Sequence, residues 1–233
     1  MAPRQVFLQW NVRSVWHKKH DLIFLLNKFK PLACSVAETW LTPSLSFNIP
    51  LFNILRCDRS DGYGGSALLV NNRVPLSTLS LPVLDGDMNI VACRIEGITV
   101  LSVYISHPQR RFLTTIRDIL NSIVGPVLVM GDFNCHHFRW GSNRCDSFGE
   151  GLVEILDDLD LCILNDVSKI LLVTAMLRAA TMALSRPLFQ AQTLPFRCAT
   201  VPEIKSRHPR GGIKNAHRLL KKGKRPKNST MMR

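Results

Sequence analysis

Apolar and polar positions along this chain change period several times, and the changes mark its elements. Residues 6–10 read as a short strand ending at Asn11. Leu22, Leu25, Leu26 and Phe29 then recur at i, i+3, i+4 and i+7, the spacing of an amphipathic helix, and Pro31 closes it. Residues 33–37 predict a second strand, which delivers Glu38 at its C-terminal end. Residues 53–57 and 67–70 predict two more, joined through Asp58, Arg59, Gly62, Gly64 and Gly65. Residues 90–95 and 98–104 predict a hairpin around Glu96-Gly97. Leu113, Ile116, Leu120 and Ile123 form another helical stripe that stops at Gly125-Pro126.

Residues 127–130 are apolar, rich in Val and too few for a helix, so they read as a buried strand. Gly131 then allows a tight turn. Asp132 and Asn134 follow one residue apart, and in an extended stretch such positions point the same way. Ser147 with Glu150 three residues on reads as a capping box, and Leu152, Ile155, Leu156 and Leu159 give that helix a buried face. Residues 161–164 predict a last strand ending at Asn165-Asp166. Strands outnumber helices and the helices lie far apart. That pattern predicts sheets packed face to face with helices outside, rather than a regular βαβ alternation.

Beyond Asp166 the texture changes. Val173, Met176, Leu177, Ala180 and Leu184 fit one helix, and no strand pattern resumes. Residues 205–233 are basic, poor in apolar groups and without an acid, which predicts a flexible tail. The organisation expected is therefore one domain over 1–166, a divergent segment over 167–204 and a basic tail over 205–233. Charge sharpens that boundary. Through Asp166 there are 15 Lys and Arg against 16 Asp and Glu, and after it 15 against one, so the net +13 comes from the last third. A hydrophobic content of 46% excludes wholesale disorder. Seven scattered cysteines, odd in number and never spaced C-x-x-C, argue against a disulfide framework or a zinc site. The N-terminus lacks a signal-peptide core, and the longest apolar run, 170–184, falls short of the roughly 20 residues needed to span a bilayer. A soluble, unsecreted protein is expected.

Several predicted strands end on polar groups: Asn11, Glu38, Tyr104, and Asp132 with Asn134. An acid that takes a proton, beside an amide that holds an oxygen, suits phosphodiester hydrolysis, and a single Glu carboxylate suits Mg²⁺. Each residue also has a structural reading: Asp and Asn favour turns after strands, and Glu38 fits a solvated turn. His136 and His137 are adjacent on an extended segment, so their side chains point apart and do not share a metal.

The motifs in order resemble the endonuclease/exonuclease/phosphatase superfamily. They are Gln9-Trp10-Asn11-Val12-Arg13-Ser14, Ala37-Glu38-Thr39-Trp40-Leu41, Arg56-Cys57-Asp58-Arg59 with Gly64-Gly65-Ser66-Ala67, Val103-Tyr104-Ile105 with Pro108, and Gly131-Asp132-Phe133-Asn134. His136-His137 with Trp140-Gly141, and Ile163-Leu164-Asn165-Asp166, narrow the resemblance to endonuclease domains of non-LTR retrotransposons, of the jockey and telomere-repeat-targeting types. The resemblance spans about residues 5–166. It implies an α/β fold, a four-layer α/β sandwich of two packed sheets flanked by helices. It implies nicking of DNA for target-primed reverse transcription, beside the reverse transcriptase region of a parent element, in nucleus or cytoplasm. By the same resemblance Glu38 holds Mg²⁺ (or Mn²⁺ in its place), and Asn11 supports the metal shell. Asp132 activates water, Asn134 orients the scissile phosphate and Tyr104 donates a hydrogen bond to it. Arg59 contacts the DNA backbone or is a plain surface residue. No small-molecule cofactor or membrane is implied.

Two family elements have no counterpart. The family closes its site with a late-strand acid and a Ser-Asp-His. Here Ser206-Arg207-His208-Pro209 is the nearest string, with a cation where the orienting acid belongs. The expectation is a fold incomplete at its C-terminal end and a weak or inactive enzyme, with residues past about 167 replaced through frameshift or decay. The other reading is a nucleic-acid-binding remnant that acts through the basic tail.

Overall fold

The computed structural model describes residues 5–164, together with the backbone of 173–178 and 196–200. These all fall in the first of two units, residues 1–202. In chain order the strands are β1 (Gln5–Asn11), β2 (Ala33–Ala37), β3 (Phe52–Cys57), β4 (Ser66–Asn71), β5 (Leu76–Thr78), β6 (Met88–Ile95), β7 (Ile98–Ile105), β8 (Val127–Asp132), β9 (Cys162–Ile163), β10 (Val173–Arg178) and β11 (Phe196–Thr200). The helices are α1 (Val15–Phe29), α2 (Arg111–Ser122) and α3 (Ser147–Asp158).

The strands form a five-stranded sheet in the order β11-β1-β2-β4-β3 and a six-stranded sheet in the order β5-β6-β7-β8-β10-β9. Both mix parallel and antiparallel pairs: β1 runs parallel to β2 and β7 parallel to β8, while β2–β4 and β6–β7 are antiparallel. The expected α/β sandwich is what the chain builds. Phe7, Leu68, Val70, Val91, Val100, Leu128 and Met130 make a core of residues from both sheets. Phe112, Ile116, Leu120, Leu152, Ile155 and Leu156 from α2 and α3 cover the other face of the second sheet. β2, β4 and β8 are buried on both faces, apart from the last residue of β4, and this is why their sequences read as apolar runs without alternation.

Three expectations need correction. The helix expected on Val173, Met176 and Leu177 is strand β10, antiparallel to β8 and β9. β11 adds a further strand, parallel to β1. Strand structure therefore resumes beyond residue 166. The buried strands β8 and β1 each present a row of backbone groups on the side away from β7 or β2. Pairing those rows outweighs a weak helical spacing that begins with β-branched Val173 and Thr174. Ala180, Leu184 and the tail 205–233 lie outside the described residues. The second correction is at α3, which is capped by Asp146 rather than Ser147. Asp146 accepts from the Gly149 N–H at 2.7 Å and also from the His136 N–H at 2.7 Å, so one carboxylate closes the helix and the preceding loop together. Third, Gly131 sits inside β8 rather than in a turn. A Cβ there would overlap the Val103 carbonyl of the neighbouring strand, so only glycine lets β7 and β8 lie this close.

Candidate active site

The C-terminal ends of β1, β2, β7 and β8 meet at one rim. β1 and β2 pair in parallel so that Asn11 sits opposite Ala37, one residue before Glu38. β7 and β8 pair in parallel with Tyr104 opposite Asp132. The two sheets then bring these pairs together. Asn11 Nδ2 donates to Glu38 Oε1 at 2.7 Å and to Asp132 Oδ2 at 2.7 Å, so one amide bridges two carboxylates from different sheets. Beneath this rim the sheets are joined by polar contacts as well. Ser102 on β7 hydrogen-bonds Ser35 on β2 at 2.7 Å and Ser66 on β4 at 2.8 Å, and its hydroxyl donates to the Ala67 carbonyl at 3.0 Å. Sequence reasoning gave these three serines no role. For Ser35 and Ser102 the signal was a small hydroxyl in the middle of an otherwise apolar strand.

The backbone bends sharply around the bridge. Arg13, Ser14, Glu38, Trp40 and Asn134 all have positive φ, a region that side-chain-bearing residues rarely occupy. The bends are tied down. Ser14 N–H donates to the Glu38 carbonyl at 2.9 Å, Val15 N–H to the Thr39 carbonyl at 3.0 Å, and Trp40 N–H to the Gly64 carbonyl at 2.9 Å. The loop of β8 departs from its expectation in one respect. Asn134 does not extend alongside Asp132 but curls back. Its N–H donates to Asp132 Oδ1 at 3.0 Å, and its Nδ2 donates to the Ile105 carbonyl at 2.8 Å. A local bond to the preceding carboxylate favours this conformation over continued extension. Asn134 thus holds Asp132 from one side while Asn11 holds it from the other.

Electrostatics follow from this packing. Asp132 is 4% exposed, and burial holds its carboxyl above the usual carboxylate range. The bonds from Asn11 and Asn134 oppose that shift, and the charge of Glu38 adds to it. The Tyr104 phenol is pushed up to about 12, first by burial and then by the charges of Glu38 and Asp132. At neutral pH it therefore keeps its proton and is a donor.

Two carboxylates that converge on one amide nitrogen make a negative, oxygen-rich corner. Such a donor set fits a hard divalent cation better than a soft one. Glu38 and Asn11 are the residues that would hold it, with Asp132 beside them. A second group, His137, Cys145 and Glu150, also brings ligand-type atoms within 4.8 Å of one another. It does not fit a metal. His137 Nδ1 accepts the Arg139 N–H at 3.0 Å, so in the neutral ring Nε2 carries the proton and faces Glu150 as a donor. His136 engages Ser142 and Arg144 instead, so the two histidines do not act together.

Arg59 has partners throughout. Its guanidinium donates to Asp61 at 2.7 Å, to Asp87 at 3.0 Å, to the Gly86 carbonyl at 2.7 Å and to Ser106 at 3.1 Å. These bonds hold the Asp61 and Asp87 carboxyls down at about 2, with Ser106 the larger influence on Asp87. Arg59 clamps the β3–β4 loop to the ends of β6 and β7, and a phosphate would have to displace these partners. Arg59 also lines a cavity of about 670 Å³ with Leu55, Asp58, Leu81 and Asn89 among others, and Asn11, Glu38, Tyr104, Asp132 and Asn134 do not line it. The six described cysteines are free thiols, and burial pushes Cys34 and Cys93 up, which excludes these two as ready nucleophiles. No helix among the described residues is long and apolar enough to cross a membrane.

Comparison with known proteins agrees with this fold. The family model described as Endonuclease-reverse transcriptase matches residues 98–175. The chain is 22% identical over 153 residues to the RNA-directed DNA polymerase from mobile element jockey of Drosophila melanogaster, covering 63% of this chain. It spans only 17% of that relative's length. Among solved structures, the endonuclease domain of TRAS1, a telomere-specific non-LTR retrotransposon, superposes with a TM-score of 0.59 at 19% identity, covering 73% of this chain and 82% of that one. The 3'-5' exonuclease NExo from Neisseria meningitidis gives 0.54 at 17% identity, covering 74% and 86%.

Proposed function

We propose that this chain, a member of the endonuclease/exonuclease/phosphatase superfamily in its non-LTR retrotransposon branch, hydrolyses phosphodiester bonds in DNA with the help of a divalent cation. The observation that carries this reading is the Asn11 amide shared between Glu38 and Asp132, with Tyr104 and Asn134 beside it. Such a corner assembles from four strand ends in two sheets, and a turn acid or a helix cap needs none of that convergence.

Each side chain has a task that its surroundings suit. Asp132 is the general base: its raised carboxyl takes a proton from water more readily than an ordinary aspartate, and two donors keep it ionised and aimed. Tyr104 donates its phenolic proton in a hydrogen bond to the phosphate oxygens as charge grows on them. Asn134, fixed through Ile105 and Asp132, presents its carboxamide to the phosphate. Glu38 and Asn11 would hold the cation, Mg²⁺ or Mn²⁺ by their oxygen chemistry, which neutralises phosphate charge when bound. The parent element's reverse transcriptase would use the resulting nick as a primer end.

The 233 residues contain no Ser-Asp-His, so activity is expected to be weak: members of a catalytic set act as a unit. One observation favours a second reading, binding of nucleic acid without cleavage. After Asp166, 15 basic residues face a single acid. Relaxation of supercoiled plasmid in Mg²⁺ separates the two. The nuclease reading expects slow nicking by the wild type, abolished by chelator and by Asp132→Ala. Nicking that persists in Asp132→Ala would sink the assignment of the base, and binding with no nicking at all would favour the second reading.

A further inference from the structure

We infer that Trp16, Phe47 and Lys19 form a platform that accepts one unpaired base of a DNA strand beside the candidate active site. The helix α1 presents two different faces. Val15, Leu22, Leu25 and Leu26 are buried, and Trp16 lies on the other side, 45% exposed in the first turn. The Trp16 ring meets Phe47, from the β2–β3 loop, edge to face at 5.6 Å between centroids and 86° between planes. Lys19, one turn along, sets its ammonium 5.8 Å from the Trp16 centroid and 5.5 Å from that of Phe47.

Charge and position identify the occupant. The stretch 13–20 contains Arg13, Lys18 and Lys19 with His17 and His20 and no acid, so the patch complements phosphate. An aromatic face with a cation beside it takes a nucleobase by stacking and the adjoining phosphate by charge. The platform is also anchored to the catalytic rim. The N–H groups of Ser14 and Val15, just before Trp16, donate to the carbonyls of Glu38 and Thr39. Arg13 is close enough for its charge to act on Asp132 and Tyr104. In regular duplex DNA every base is already stacked on its neighbours. The platform therefore favours DNA with an unpaired nucleotide, and this inference rests on the nuclease reading for its place beside a nick.

Fluorescence anisotropy of the full chain tests it, in chelator so that no cutting occurs. The probes are a labelled blunt duplex and the same duplex with one unpaired thymine. The wild type should bind the second at least about fivefold tighter, the lower end of what one stacked base supplies. Trp16→Ala should erase that preference and Trp16→Phe should keep it, each variant checked for wild-type circular dichroism. Lys19→Met is a second variant that needs no change to the rings: it should keep the preference and lower the slope of log affinity against log salt by about one. Equal wild-type binding to both probes, or a preference that survives Trp16→Ala, would overturn the inference. A base preference without any plasmid nicking would overturn the nuclease reading instead, and nicking without a base preference would leave that reading intact.

Discussion

Replacing Asn11 by alanine removes an amide that touches both carboxylates, and its effect can be worked out from the geometry. Two hydrogen bonds of 2.7 Å to carboxylates are lost. A hydrogen bond to a charged group contributes about 1.5–3 kcal/mol. Glu38 is partly exposed and recovers some of its share from water, whereas Asp132 at 4% exposure does not. The expected loss is then about 3 kcal/mol, or roughly 6–12 °C in Tm for a domain of this size. Its pH dependence is more telling. Burial holds the folded Asp132 carboxyl above its ordinary value, and the Asn11 bond draws it part of the way back. A carboxyl raised on folding contributes stability below its unfolded value of about 3.9. That contribution is lost as pH rises through the folded value. Without Asn11 the folded value rises further, so more is lost by neutrality. Urea unfolding of wild type and Asn11→Ala should show a gap that is small near the unfolded carboxylate value and widens toward pH 7. A gap constant across that range, or none, would refute the bridge as an electrostatic element.

Other outcomes follow from the same structure. Tyr104→Phe should reduce nicking by about 10²-fold in rate under single-turnover conditions, the usual effect of deleting one donor to developing charge. In ultraviolet titration the Tyr104 phenol should ionise only near pH 12. Gly131→Ala should destabilise the fold by roughly 3 kcal/mol or more, because a Cβ cannot enter against the Val103 carbonyl without parting β7 from β8; thermal unfolding measures it. Arg59→Ala should lower Tm through the loss of the Asp87, Gly86 and Ser106 contacts yet leave the salt slope of DNA binding unchanged, where a phosphate contact would lower it by about one.

Much of this fold could be read from period alone. β2 occupies the expected residues, the β6–β7 hairpin turns at Glu96-Gly97, and the three amphipathic stripes are α1, α2 and α3. What escaped was decided by neighbours distant in sequence. β5 has three residues and is a strand because β6 offers it an edge. β10 reads as a helix until β8 supplies its pairing row. The site shows the same division. Asn11, Glu38, Tyr104, Asp132 and Asn134 announce themselves as polar groups closing apolar runs, so their presence at one rim was legible. Their connections were not. No local pattern says that Asn11 will span two sheets, that Asn134 will turn back onto Asp132, or that Arg59 will be tied to Asp61 and Asp87. Those bonds depend on which strand ends the topology sets side by side.

The proposed roles of Glu38 and Asp132, two carboxylates that share one amide, differ, and single-turnover cleavage of a labelled duplex across a range of Mg²⁺ concentrations tests that division. Glu38→Gln should raise the Mg²⁺ concentration needed for half-maximal cleavage while saturating metal restores much of the rate. Asp132→Asn should lower the rate at saturating Mg²⁺ by about 10²–10⁴-fold, the span of general-base catalysis. If Asp132→Asn cleaves at the wild-type rate once Mg²⁺ is saturating, the general base lies elsewhere and the central assignment is wrong.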